Sequence, residues 1–87
     1  MVELDYCVSD ESMINLNDQQ KTDYCVSVNL ALHNEWPAWQ TTVNRCPSVA
    51  SVKISFSDGE EPDENVSMAR ALSLAATEWT TGGWHLI

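Results

Sequence analysis

The stretch TDYCVSVNLALH, residues 22–33, decides how the whole chain is read. Tyr24, Val26, Val28, Leu30 and Leu32 alternate with Asp23, Cys25, Ser27, Asn29 and Ala31. Apolar–polar alternation with a period of two is the pattern of a strand whose sheet is covered on one side only. Residues 50–57 repeat it, with Val52, Ile54 and Phe56 set against Ser51, Lys53, Ser55 and Ser57. Residues 2–9 repeat it more weakly, with Val2, Leu4, Tyr6 and Val8 opposing Glu3, Asp5, Cys7 and Ser9. The pentapeptide DYCVS occurs at residues 5–9 and again at 23–27, which supports reading both segments as strands.

Residues 62–80 carry the clearest helical pattern. Met68, Leu72, Ala75, Ala76 and Trp79 recur at helical spacing, with Val66 and Ala69 beside them. Pro62 suits a first turn, where its missing N–H costs nothing. Glu60, Glu61, Asp63 and Glu64 complement the positive end of the helix dipole. Gly82 and Gly83 supply a stop. The closing GWHLI then reads as a short last strand, with Trp84 and Leu86 on one face.

Two connectors stay open. Residues 10–21 contain Met13, Ile14 and Leu16, consistent with a short helix or a loop. Residues 34–46 place Trp36, Trp39, Val43 and Cys46 at helical offsets, but the β-branched run Thr41, Thr42, Val43 favours extended chain. The order is strand, connector, strand, connector, strand, helix, strand. The expected fold is α+β in two layers: an antiparallel sheet of three to four strands packed on one main C-terminal helix. It becomes ferredoxin-like if residues 10–21 are helical. The outer sheet face would then show Glu3, Asp5, Asp23, Cys25, Ser27, Asn29, Lys53 and Ser55.

All 87 residues fit one domain, residues 1–87, with no room for a second core. Hydrophobic residues at 44% and four tryptophans suffice for a packed interior, so the chain is not read as disordered. No apolar run approaches the ~20 residues of a bilayer span, and the N-terminus lacks the basic start and apolar stretch of a signal peptide. The expectation is a cytoplasmic protein. Three cysteines without paired spacing, Cys7, Cys25 and Cys46, read as small semi-buried thiols rather than a disulfide framework.

Charge is the main functional signal. Thirteen acids against four cations give a net charge of −9. Glu3, Asp5, Asp10, Glu11, Asp18 and Asp23 form one cluster, and Asp58, Glu60, Glu61, Asp63 and Glu64 form another. Such a surface repels phosphate and attracts basic protein surfaces, over about a Debye length, ~8 Å at physiological salt. Direct nucleic-acid binding is therefore not expected. The acids equally serve to cap a helix and keep a small protein soluble.

Catalytic chemistry finds little footing. There is no nucleophile elbow or glycine-rich oxyanion loop, and Cys25 could meet His33 or His85 only through the fold. The segment DGEEPDEN lacks the Asp-x-Asp-x-Asp-Gly order and terminal Glu of a calcium loop. No CxxC or His cluster marks a metal site. No cofactor is expected. Trp36 and Trp39, in NEWPAW, either cover a sheet edge or, if exposed, anchor an interface.

In size, acidity, element order and absence of catalytic motifs, the whole chain resembles the small phage-encoded inhibitors of bacterial defence, the anti-CRISPR proteins in particular. That resemblance rests on no motif. It implies a stoichiometric inhibitor, acting in the host cytosol, that occupies a basic nucleic-acid-binding surface of an effector or nucleoprotein complex. Acidic immunity proteins against nuclease toxins are similar in length and charge. The expected contacts are Asp58, Glu60, Glu61, Asp63 and Glu64, then Glu3, Asp5 and Asp23, with Trp36 and Trp39 as anchors. The rival expectation is a structural or assembly protein that dimerises through its sheet.

Overall fold

The computed structural model describes residues 1–57, 59 and 61–87. Along the chain run β1 (Val2–Ser9), a short 3-10 helix (Asp10–Met13), α1 (Asp18–Glu35), β2 (Gln40–Cys46), β3 (Ser51–Phe56), α2 (Glu64–Thr81) and a final 3-10 turn (Trp84–Leu86). The strands lie in the order β2-β1-β3. β1 pairs parallel with β2, from Glu3 opposite Gln40 to Ser9 opposite Cys46, and antiparallel with β3, from Val2 opposite Phe56 to Cys7 opposite Ser51. The fold is α+β, as the sequence suggests, and both β1 and β3 fall where their alternation places them.

The segment at residues 22–33 is the main correction: it is helix, not strand. Tyr24, Cys25, Val28 and Leu32 are buried, and these positions share one helical face. The other members of the alternating series, Val26 and Leu30, are 55% and 61% exposed. Topology reinforces the helix, because parallel neighbours need a crossover of a dozen or more residues. Asn17 starts it with a capping box: Gln20 N–H donates to Asn17 Oδ1, and Asn17 N–H donates to Gln20 Oε1, each at 2.8 Å.

The sheet is consequently mixed rather than antiparallel, and two helices cover it rather than one. A ferredoxin-like arrangement would also need a fourth strand at GWHLI. Those residues instead turn back: Gly83 takes φ 75°, and Trp84 packs edge-on to Tyr24 at 5.8 Å. Gly82 permits this, since a Cβ there would lie 2.5 Å from the Trp84 indole nitrogen. The β-branched run in the second connector forms β2.

Leu4, Val28, Leu32 and Met13 are fully buried, between the inner sheet face and the helices. Each buried side chain of this size stabilises the fold by roughly 1.5–3 kcal/mol. Ser67, Ala71 and Ala75 are the buried small residues of α2. The outer sheet face is open and polar: Glu3, Asp5, Lys53, Ser55 and Asn44 are exposed there. Asp23, Cys25, Ser27 and Asn29, expected on that face, lie on α1 instead.

The cysteines also depart from expectation. The parallel register sets Cys46 beside Ser9, two residues beyond Cys7, and the two thiols are joined as a disulfide with Cα atoms 5.7 Å apart. Cys25 is a buried free thiol.

Candidate functional site

One end of the molecule gathers most of the residues singled out by sequence. Here β1 and β2 begin, β3 ends, α1 finishes at Glu35 and α2 starts at Glu64. Trp36 caps α1, its N–H donating to Leu32 O at 3.0 Å, and Trp39 precedes β2. Their rings stack at 4.7 Å and 6°. Both indoles are half-buried against the core, so they cover the sheet end and keep one rim in solvent.

Trp39 divides two clefts. One, about 340 Å³, is lined by Met1, Val2, Ala38, Trp39, Glu61 and Pro62. The other, about 520 Å³, runs from Trp39 along α1, past Leu30 and His33 to Asn29 and Thr41. Trp39 and Glu61, remote in sequence, thus face one another across a shared groove. Thr41 Oγ1 bonds Asn29 Oδ1 at 3.0 Å and ties β2 to α1 on the far side.

The acids at this end differ in role. The Asp63 carboxylate accepts the Val66 N–H at 3.1 Å and is the N-cap of α2. Glu61 and Glu64 are exposed. Asp58 and Glu60 lie outside the described residues. Glu3 and Asp5 stand on the outer sheet face, with Glu3 in the row that joins Gln40 to Ser55. Asp23 does not join them: it is exposed on α1, where its carboxylate accepts from Gln19 Nε2 at 2.9 Å. Glu35 accepts from Arg70 Nε at 3.2 Å, which ties the end of α1 to α2.

Leu30 and His33 escape the sequence reading because a strand assignment hides them. On a helix they are three residues apart and share a face. The Asn17–Gln20 capping box is the sequence signal for that helix and its face.

The opposite end of the sheet is cross-linked by charge. Arg45 donates to both Asp10 carboxylate oxygens, at 2.9 and 3.1 Å, and to Asp18 at 3.1 Å. The Arg45 hydrogen bond holds the Asp10 carboxyl below the ordinary carboxylate range. Burial pushes the Cys25 thiol upward and keeps it protonated, the reverse of what a nucleophile needs. Among the described residues no group of His, Cys, Asp and Glu side chains could hold a metal ion. No helix among them is long and apolar enough to cross a membrane.

Comparison with protein-family models, with curated proteins and with solved structures returns no match.

Proposed function

We propose that this chain is a stoichiometric protein inhibitor whose acidic, tryptophan-bearing end docks on a basic, nucleic-acid-binding surface of another protein. The observation that carries the reading is the groove shared by Trp39 and Glu61. It joins an aromatic anchor to an acidic helix entrance, the pairing that an interface with a Lys/Arg-rich surface uses. Glu61, Glu64 and Glu3 supply charge, Trp36 and Trp39 supply apolar contact, and Asp63 serves α2 itself. Asp58 and Glu60 belong to the same acidic run in sequence. Nothing in this reading calls for catalysis or a cofactor. The partner is a CRISPR-type effector or a nuclease, as for an anti-CRISPR or an immunity protein, and the site of action is the host cytosol.

Capture from a host lysate on the immobilised chain, followed by elution with double-stranded DNA, tests the reading. A nucleic-acid-binding partner that DNA displaces, and that Trp39→Ala with Glu61→Lys fails to capture, is the expected result. A partner held equally well by the double variant, or not displaced by DNA, overturns it.

A further inference from the structure

The edge strand β3 has an apolar inner flank that the helices only partly cover. Val52 and Ile54 are half-buried and Phe56 is 41% exposed. The helix α2, which packs against β3, carries Met68, Leu72 and Ala76 at helical spacing. Leu72 is 46% exposed and, with Ala76, lines a cleft with Tyr6 and Val8 of the neighbouring β1. None of the six residues on β3 and α2 is charged. The other edge of the sheet is different: β2 carries Thr41, bonded to Asn29, and Arg45, bonded to Asp10 and Asp18. Charged and polar groups of that kind protect an edge strand from pairing with another chain. The β3 edge has only Lys53, on the outer face opposite Asp5.

From this we infer that β3 is a self-association edge and that its occupant is a second copy of this chain, paired antiparallel about Ile54. Two considerations select a second copy. A net charge of −9 makes most approaches between copies repulsive, and β3 itself carries no acid, so two β3 strands meet without acids opposed within the strands. The strand sequence SVKISF is also self-complementary in one register. With Ile54 opposite Ile54, Val52 of each copy meets Phe56 of the other on the inner face. Lys53 of each then meets Ser55 of the other on the outer face. Centring the pair on Lys53 instead would set two ammonium groups directly opposite, which is unfavourable. Lys53 therefore selects the register rather than forbidding the pairing. The product is a continuous six-stranded sheet with all helices on one face and the α2 stripes adjacent across the two-fold. This goes beyond the proposed inhibitory role and does not depend on it. The Trp39–Glu61 ends lie at the other end of the sheet from the Arg45 cluster, so the dimer presents them in opposite directions.

Sedimentation equilibrium of the full chain at low and high salt tests it, with two exposed-site variants. The wild-type chain should dimerise, more tightly at high salt because screening relieves the repulsion between like-charged copies. Binding to a basic partner would respond to salt in the opposite direction, so the two properties fail separately. Ser55→Lys faces Glu3 within its own chain but Lys53 of the other copy, so it should preserve folding and weaken the dimer roughly three- to thirty-fold. Leu72→Glu should weaken it at least as much. A chain that stays monomeric up to about 1 mM, the scale of a very weak complex, overturns the inference. So does a dimer indifferent to both substitutions.

Discussion

The Tyr24 hydroxyl, carried by α1, donates to the backbone carbonyl of Ala75 in α2 over 2.8 Å within the buried core. The same ring meets Trp79 edge-on at 5.2 Å and Trp84 at 5.8 Å. One side chain thus couples both helices and the final turn. Tyr24→Phe keeps the ring contacts and loses the hydrogen bond, a cost of about 1 kcal/mol. In a domain this small that lowers the melting temperature by about 4–8 °C. Tyr24→Ala should cost about 3–5 kcal/mol, the range for large-to-small aromatic truncation in a core. Calorimetry on the two variants should separate bond from ring.

Alkaline pH should destabilise the protein in a definite window. Burial raises the Tyr24 hydroxyl above its ordinary value of 10.0, with Tyr6, Cys25 and Glu78 adding to it. Burial likewise raises Tyr6 from 10.0 and Cys25 from 9.0. Above those ordinary values the unfolded chain releases protons that the folded chain retains. The folded state then binds more protons, so stability falls as pH rises. The loss should begin near pH 9 and deepen past 10. Cys25→Ser should delay its onset, and urea midpoints across pH 8–11 would show whether it does.

Acid conditions probe the other end of the sheet. The Asp10 carboxyl is held down chiefly by its hydrogen bond from Arg45. Its contribution is present above the ordinary carboxylate value of 3.8 and disappears as pH falls through the lowered value. Arg45→Met should return Asp10 to an ordinary titration. Carboxyl chemical shifts followed by NMR through the acid range are the direct measurement.

The Cys7–Cys46 disulfide ties β1 to β2 across a separation of 39 residues. Closing a loop of that length restricts the unfolded chain, an effect of about 2–4 kcal/mol. Cys46→Ser and chemical reduction should lower the melting point alike, with no additive effect. If reduction leaves melting unchanged, the bridge contributes nothing to stability.

At the entrance to α2 the acids should divide by role. Asp63→Ala removes a cap and should cost about 1 kcal/mol of stability. Glu61→Lys with Glu64→Lys alters only exposed charges near the dipole, about 0.3–1 kcal/mol each. On the proposed interface the double reversal should instead weaken partner binding by far more than it lowers melting. Both quantities, measured on one sample, decide the matter. A melting collapse with unchanged affinity of the folded fraction would return Glu61 and Glu64 to a purely structural role.

What the sequence discloses depends on how far a local pattern agrees with its tertiary setting. In β1 alternation matches burial, and in β3 it does so at Val52 and Ile54 while Phe56 is exposed. The helix α2 ends at the expected Gly82 cap but begins at Glu64 behind the Asp63 cap, so Pro62 precedes the helix rather than opening its first turn. In α1 the alternating residues Tyr24, Val28 and Leu32 also lie on one helical face, so these three fit both periods, and the buried Cys25 with the exposed Val26 and Leu30 separates them. The Cys7–Cys46 bridge follows from the parallel register, which no local spacing encodes. The acidic helix entrance and the tryptophans were visible as residue types, but the meeting of Trp39 with Glu61 belongs to the topology.

The central position of β1 has a kinetic consequence. Consecutive strands β2 and β3 are not neighbours, so the sheet contains no local hairpin that could form early. Each ladder must close a long loop: Val2 waits for Phe56, and Ser9 waits for Cys46. Loop-closure entropy is spent before either pairing returns anything, which raises the contact order and slows folding. Refolding should therefore be slower than for a hairpin-built sheet of equal size. It should quicken when α1 is strengthened, because that helix shortens the distance β2 must search to find β1.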